Sequence, residues 1–128
     1  MDALVTGLRR LRLFSARLHL INENNWANPA LQVMTVVEGK ISKTKTEDFL
    51  SMYASVGAQA KPPGWKRSML LHDPDEEGLY RISTLWDSRE ALEQMRKNTK
   101  VPFAVQIFRT HGAQPNVRIF EVPLAFEA

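Results

Sequence analysis

Cysteine is absent from this chain of 128 residues. Disulfide bonds, zinc–thiolate centres, iron–sulfur clusters and thiol nucleophiles are therefore excluded. All apolar runs are far shorter than the ~20 residues of a membrane-spanning helix, so we expect no stable membrane insertion and a cytoplasmic protein. With 44% hydrophobic and 24% charged residues, the composition is that of one globular domain with a single core.

Histidine is also scarce, with three in the chain. His19 lies near the N-terminus, His72 precedes an acidic turn and His111 lies in a Thr-His-Gly loop. No two of them have the i, i+4 spacing of a helical metal site, so we expect no bound metal. The sequence also has no glycine-rich phosphate loop, no Ser-His-Asp arrangement and no carboxylate pair suited to acid–base catalysis.

A basic surplus is missing from most of the chain. The formal net charge of +3 comes from 17 Lys and Arg against 14 Asp and Glu, and all of it lies in the first 21 residues. There Arg9, Arg10, Arg12 and Arg17 stand against Asp2 alone, whereas the remaining residues balance. Because a nucleic-acid groove needs clustered positive charge on the folded domain, we expect no nucleic-acid partner.

Residues 1–31 are interpreted as an N-terminal extension. Its large apolar residues recur every three or four positions and predict an amphipathic helix; they are Leu4, Leu8, Leu11, Phe14, Leu18 and Ile21. Apolar residues also occupy every second position over residues 14–20, so a strand is the competing interpretation. An arginine-rich amphipathic start also occurs in transit peptides and membrane contacts, but we favour a segment that packs on the domain or on a partner subunit. The polar stretch at 22–29 then predicts a linker.

The remaining residues, 32–128, are interpreted as one domain. Its first strand is predicted by the β-branched run QVMTVVEGKI, which Gly39 bounds. The next helix is predicted to begin at a capping box formed by Thr44 and Glu47. The two prolines of KPPG end this helix, because neither fits a helix interior.

A hairpin, two helices and a last strand complete the pattern. The runs WKRSMLLH and LYRISTLW flank the acidic turn DPDEEG and predict paired strands. Asp87, with Glu90 at its third position, predicts the cap of the next helix, and Pro102 the start of a short one. The alternating run NVRIFEV predicts the last strand. The order β-α-β-β-α-β, plus one short helix, is the α+β arrangement of ferredoxin-like folds with an antiparallel four-stranded sheet.

One face of such a sheet is left without a cover. If the helices pack on one face, the apolar residues of the other strand phase face solvent in a monomer; they include Met34, Val36, Leu79 and Leu85. The simplest cover is the same face of a second copy of the chain. We therefore expect a homodimer.

The stretch from Pro63-Gly64 to LYRISTLWDSREALEQM resembles the antibiotic-biosynthesis monooxygenase (ABM) family, and the resemblance extends over about residues 32–123. Its most specific element is a strand that ends in Trp86, followed by an acidic residue, a short cap and an Ala-Leu helix. The resemblance implies a dimeric α+β barrel, in which a small pocket lies between each sheet and its own helices. The family includes cofactor-independent monooxygenases of phenols and quinols, haem-degrading oxygenases and isomerases, so the fold constrains chemistry poorly.

Strand phase indicates which residues line that pocket. If Trp86 faces the helices, as the resemblance implies, every second residue of its strand and of the first strand faces them too. The predicted pocket residues are Val33, Thr35, Val37, Phe49, Tyr53, Ile82, Thr84 and Phe103. Such a pocket suits a small hydrophobic or aromatic molecule. Trp86 is either a core residue that anchors the strand-to-helix turn or a wall on which a substrate stacks, and the two interpretations are compatible.

The haem-degrading chemistry of the family does not fit these residues. In those members the resemblance pairs the Trp with an Asn on the first strand and an iron-ligating His on the following helix. Val37 stands in place of the Asn, and Met95 or Arg96 in place of the His. With two of three groups missing, we expect neither haem nor another cofactor.

Quinol-oxidising members fit better, although Ile82 stands where they carry an Asn one turn before the Trp. Cofactor-free oxygenation needs a substrate that is deprotonated to an electron-rich anion, and a polar group that holds the anion. The possible suppliers are Tyr53, Tyr80, Arg81, Arg96 and His111. We select His111 as the general base, because it follows the short last helix near the expected pocket mouth, together with Trp86 and Tyr53 as catalytic residues.

The predicted function is therefore a cofactor-independent monooxygenase that acts on a small aromatic or quinol-type substrate. The alternative is a non-catalytic protein that binds a small ligand in the same pocket.

Overall fold

A computed structural model of the chain describes residues 31–128. The predicted amphipathic helix and polar linker of the N-terminal extension lie outside the described residues. None of the helices within residues 31–128 combines the length and the apolarity that crossing a bilayer requires.

The strands and helices of residues 31–128 follow one another in the order that the sequence predicts. The strands are β1 (Val33–Lys40), β2 (Trp65–His72), β3 (Leu79–Trp86) and β4 (Asn116–Glu121). The helices are α1 (Thr46–Val56), α2 (Arg89–Asn98) and α3 (Phe103–Thr110). A single turn of 3₁₀ helix at Lys43–Lys45 leads into α1.

The strands form one antiparallel sheet in the spatial order β2-β3-β1-β4. The central pair runs in register from Val33 opposite Trp86 to Lys40 opposite Leu79. Because β4 pairs with the outer side of β1, the last strand returns beside the first, as the split β-α-β order requires. The predicted ferredoxin-like sheet is confirmed.

The helices pack on one face of this sheet, and the core lies between them. The main cluster joins Val37 and Ile82 of the central strands to Phe49 of α1 and Phe108 of α3. At Gly39 a Cβ would lie 2.6 Å from the Phe108 ring, so only glycine allows α3 to approach β1 this closely. A smaller cluster joins Val33 and Trp86 to Leu92 of α2, at the sheet end where β3 leads into that helix.

Both predicted helix caps are wrong in detail. Thr44 lies within the 3₁₀ turn and its hydroxyl meets that of Ser42 at 3.4 Å, while no side chain caps α1. The extra turn takes the place of the predicted capping box, because Thr46 Oγ1 bonds back to the Ser42 carbonyl. At α2 the cap is Ser88, whose Oγ accepts the backbone N–H of Ala91 at 3.1 Å.

Two neighbouring details also differ from the prediction. Asp87, expected to be the cap of α2, is exposed and lies 3.7 Å from Lys66 instead. Helix α1 ends at Val56, with Gly57 as its C-cap, before the chain reaches the prolines of KPPG. The prolines therefore shape the loop after α1 rather than the end of the helix.

Candidate functional site: a pocket between sheet and helices

A pocket of about 170 Å³ lies between the sheet and the helices, at the end of β3 that carries Trp86. Its floor comes from β1 and β3, through Thr35, Val37, Thr84 and Trp86. The other walls come from the loop after α1, the C-terminal half of α2 and the first turn of α3. The pocket is smaller than the ~300–1,000 Å³ of typical drug-sized ligand sites, which favours a small molecule.

Trp86 belongs both to the core and to the pocket. Its side chain is only 4% exposed and packs in one cluster with Val33 and Leu92, yet it lines the pocket floor. The indole Nε1 donates a hydrogen bond to Thr35 Oγ1 at 3.3 Å, and Thr35 Oγ1 in turn donates to the carbonyl oxygen of Thr84 at 3.5 Å. These contacts fix the orientation of the ring, whose position is compatible with both interpretations of Trp86.

A second tryptophan, which strand phase does not predict, lines the same pocket. Trp65 opens β2 directly opposite Trp86. A bulge between Trp65 and Arg67 places one extra residue in β2 between the pairs Trp65–Trp86 and Ser68–Thr84. Without the bulge, strict alternation from Ser68 would turn Trp65 to the opposite face of the sheet. The Pro-Gly before Trp65 is the one signal in the sequence for an irregular strand start.

Tyr53 reaches the pocket floor only through other hydroxyl groups. Its phenol donates to Ser68 Oγ at 2.9 Å, and Thr84 Oγ1 donates to the same atom at 3.3 Å. Thr84 lines the pocket, whereas Tyr53 packs beside Phe103, with ring centroids 6.5 Å apart. The predicted catalytic tyrosine is thus two hydrogen bonds away from a ligand on the floor.

The predicted pocket residues divide into two groups. Thr35, Val37, Thr84, Trp86 and Phe103 line the pocket, together with residues of the loops. Apart from Tyr53, the remaining predicted residues, Val33, Phe49 and Ile82, lie in the core behind the pocket surface, each at most 1% exposed.

His111 lies apart from these residues. It is the C-cap of α3, its Nδ1 is 2.8 Å from the Ile107 carbonyl oxygen, and its ring meets Phe49 edge-on at 5.7 Å between centroids. The pocket contacts the opposite end of α3, at Pro102 and Phe103. The structure therefore does not bring His111 together with Trp86.

The charge of the pocket comes from two cations. Among the described residues that line it, the ionisable side chains are Lys61, in the loop after α1, and Arg96, on α2. Lys61 Nζ lies 5.6 Å from the centroid of the Trp65 ring. No carboxylate, imidazole or phenol of residues 31–128 lines the pocket. The sequence suggested Arg96 as one of the groups that could hold a substrate anion. It gave no such signal for Lys61, which lies in the proline-rich loop after α1.

The haem-degrading arrangement does not fit this pocket. Val37, Met95 and Arg96 all line it, at the positions where the resemblance places the Asn and the iron-ligating His. Neither described histidine contributes, and no group of three or more His, Cys, Asp or Glu within residues 31–128 could hold a metal ion. A pocket of about 170 Å³ without an imidazole does not suit haem ligation.

Comparison with known proteins supports the fold. Neither a family profile nor a curated protein matches the sequence. SnoaB, a cofactor-independent oxygenase from Streptomyces nogalater, is similar with a TM-score of 0.57 and 21% identity, over 77% of this chain and 97% of SnoaB. A candidate antibiotic biosynthesis monooxygenase from Caulobacter crescentus is similar with a TM-score of 0.58 and 19% identity, over 73% and 92% of the two chains.

A haem-degrading protein from Mycobacterium tuberculosis has the same fold, with a TM-score of 0.57 and 21% identity, over 77% of this chain and 99% of that protein. The resemblance to ABM proteins is thus confirmed at the level of the fold. Proteins described by different chemistries share this fold, so the chemistry of the present chain must be argued from its own pocket.

Proposed function

We propose that this protein is a cofactor-independent monooxygenase that binds a small aromatic or quinol-type substrate in the pocket at Trp86. The observation that carries the proposal is a small, mainly apolar pocket whose floor is a tryptophan held in one orientation by Thr35. With Trp65 at another wall, the pocket offers two indole rings to a flat ligand. The fold shared with SnoaB, a cofactor-independent oxygenase, supports the same reaction class.

The reaction needs no electrons from outside the substrate. A phenol that becomes a quinone loses two hydrogen atoms and gains one oxygen atom, while the second atom of O₂ leaves as water. The substrate therefore supplies all the electrons, provided that it reacts as its electron-rich anion. The contribution of the protein is to stack the ring, hold the anion and keep water away from it.

A ligand-binding protein without catalysis is the second candidate function. The observation that favours it is the absence of a carboxylate, imidazole or phenol among the described residues that line the pocket. A protein that only binds a small hydrophobic molecule needs no proton-transfer group. The pocket itself would be the same in both cases.

Oxygen uptake with a panel of small phenols and quinols separates the two functions. We expect one O₂ consumed per quinone formed. The variant Ala104→Trp fills the pocket and should abolish the uptake, whereas the matched control Leu50→Trp, on the exposed side of α1, should not change it. If these compounds quench tryptophan fluorescence without consuming oxygen, the protein is a binding protein.

We also propose that the protein is a homodimer joined through the open face of the sheet, the face opposite the helices. Its apolar residues include Met34, Val36, Met69, Leu71, Leu79, Leu85 and Phe120. Met69, Leu71 and Phe120 are each more than 40% exposed in the single chain. Burying this apolar face against a second subunit would remove it from water, which favours a dimer. We also propose that the protein is cytoplasmic.

A further inference from the structure

We infer that the pocket takes its ligand as an oxyanion, a phenolate of an aromatic ring, which Lys61 and Arg96 hold at the pocket mouth. The inference rests on the proposed function for the choice of an aromatic ligand, and it names the chemical form in which that ligand is bound. It assigns the role of holding the anion to two cations of the pocket, of which the sequence suggested Arg96 but not Lys61.

Lys61 is anchored where a ligand enters. Its Nζ donates to the Gly57 carbonyl oxygen at 2.8 Å and lies over the Trp65 ring, so the ammonium is held across the loop after α1. An ammonium has three donors, of which one is used here. The remaining donors are available to an anionic ligand that stacks beside Trp65.

Arg96 lines the pocket from helix α2. It follows Leu92 by one helical turn, and Leu92 is buried against Trp86, so the i, i+4 spacing directs Arg96 to the same side of α2. Arg96 lies 3.7 Å from the carboxylate of Glu93, which does not line the pocket. One loose contact leaves most of the five guanidinium donors available for a ligand.

No acidic side chain of residues 31–128 balances these two cations within the pocket. The other polar groups near the mouth, Gln59 and Thr99, are neutral. In a mainly apolar site the interaction between a cation and an anion is stronger than in water, so the pocket favours a ligand with a negative oxygen. The proton of the phenol passes to solvent water while the electron pair stays on oxygen, and no protein base is needed.

The inference is tested with 4-nitrophenol, whose phenolate absorbs visible light, and with 4-nitroanisole, its neutral methyl ether. We expect bound 4-nitrophenol to ionise about one pH unit lower than the free compound, because cations at short distance favour the charged form. Arg96→Gln and Lys61→Gln should each remove about half of this shift and so weaken phenolate binding about threefold. Neither variant should change the binding of 4-nitroanisole.

Two further variants serve as controls. Lys97→Gln removes the same charge from the adjacent position of α2, which does not line the pocket, and should leave the shift unchanged. Arg96→Lys keeps the charge and should retain most of the shift. Equal effects of Lys97→Gln and Arg96→Gln, or the same midpoint for bound and free 4-nitrophenol, would overturn the inference.

This experiment is independent of oxygen chemistry. If the midpoint shifts but no phenol or quinol consumes oxygen, the anion site stands and the proposed oxygenase does not. If oxygen is consumed while the midpoint does not shift, only the inference about Lys61 and Arg96 is overturned.

Discussion

The indole N–H of Trp86 and the hydroxyl of Thr35 meet across the two central strands at 3.3 Å. The two residues are not register partners: Thr35 pairs with Thr84, and Trp86 pairs with Val33, so the contact runs diagonally over the sheet. Both side chains are almost fully buried. This hydrogen bond, together with the packing of the ring against Val33 and Leu92, therefore fixes how the largest ring of the pocket floor lies.

Thr35→Val should destabilise the protein and loosen the pocket floor. Valine has nearly the shape of threonine but leaves the buried indole N–H without an acceptor, which costs about 1–3 kcal/mol. Urea unfolding followed by circular dichroism measures the loss. Thr35→Ser keeps the hydroxyl and is the control, with a smaller loss that reflects only the missing methyl group. Equal stability of Thr35→Val and the wild type would show that the hydrogen bond contributes nothing.

Gly64→Ala should be far more damaging than Gly57→Ala. Gly64 has a φ of +84°, and a Cβ there would lie 2.3 Å from the Cβ of Ala91 on α2. Backbone strain and this clash together should lower the free energy of unfolding by more than about 2 kcal/mol. Since α2 carries Arg96, the displaced helix should also weaken ligand binding.

Gly57 is the matched control because it has ordinary helical dihedral angles and a Cβ there would meet the Ala54 carbonyl oxygen at 3.4 Å. We expect Gly57→Ala to change stability by less than about 1 kcal/mol. Chemical denaturation of both variants gives the comparison. If both variants lost a similar amount of stability, the close contact between Gly64 and Ala91 of α2 would not restrict the residue at position 64.

Strand phase was sufficient to predict the floor of the pocket. Alternation in β1 and β3 places Thr35, Val37, Thr84 and Trp86 on one face, because two regular strands in register leave no other arrangement. Trp65 could not be placed in this way, since one bulge reverses the phase of the strand start. Sequence patterns predict regular elements well and their irregular ends poorly.

The position of His111 shows a second limit. Its place after the short last helix suggested a position at the pocket mouth. The N-terminal end of α3 lines the pocket, however, and His111 lies at the C-terminal end, away from the pocket. A helix of 8 residues rises ~12 Å, so its two ends meet different parts of the core. The direction of a helix is a tertiary property, which neither spacing nor capping residues determine.

Leu71→Asp should convert a dimer into a monomer. Leu71 is 42% exposed on the open face of the sheet, and an aspartate there would bring a carboxylate into the proposed interface, where the facing Arg81 is already paired with Glu38. Light scattering at micromolar concentration should give twice 14.6 kDa for the wild type and 14.6 kDa for the variant. Leu50→Asp changes a side chain that is equally exposed, on α1, and should stay dimeric. A wild-type protein of 14.6 kDa under these conditions would remove the basis for the proposed interface.

We expect the N-terminal extension to pack at the β4 edge of the sheet. The described chain begins beside β4, where the Gln32 carbonyl oxygen accepts the backbone N–H of Val122 at 2.9 Å. On the helix side of β4, Val117 and Ile119 remain 44% and 42% exposed, and Val117 also lines the pocket. An apolar stripe that covered these residues would stabilise the domain and narrow the pocket.

Deleting residues 1–28 should therefore lower the melting temperature and raise the dimer dissociation constant. Each large apolar side chain of the extension that the fold buries contributes roughly 1.5–3 kcal/mol, so even two of them shift the melting temperature by several degrees. Calorimetry and dilution experiments measure both quantities. In the full chain, Leu8→Gln with Leu11→Gln should reproduce the loss, whereas Arg9→Gln with Arg10→Gln should not, because the arginines lie off the apolar stripe. If the truncated protein keeps both its melting temperature and its dimer affinity, the extension does not pack on the domain, and a targeting or membrane role becomes the better explanation for its arginines.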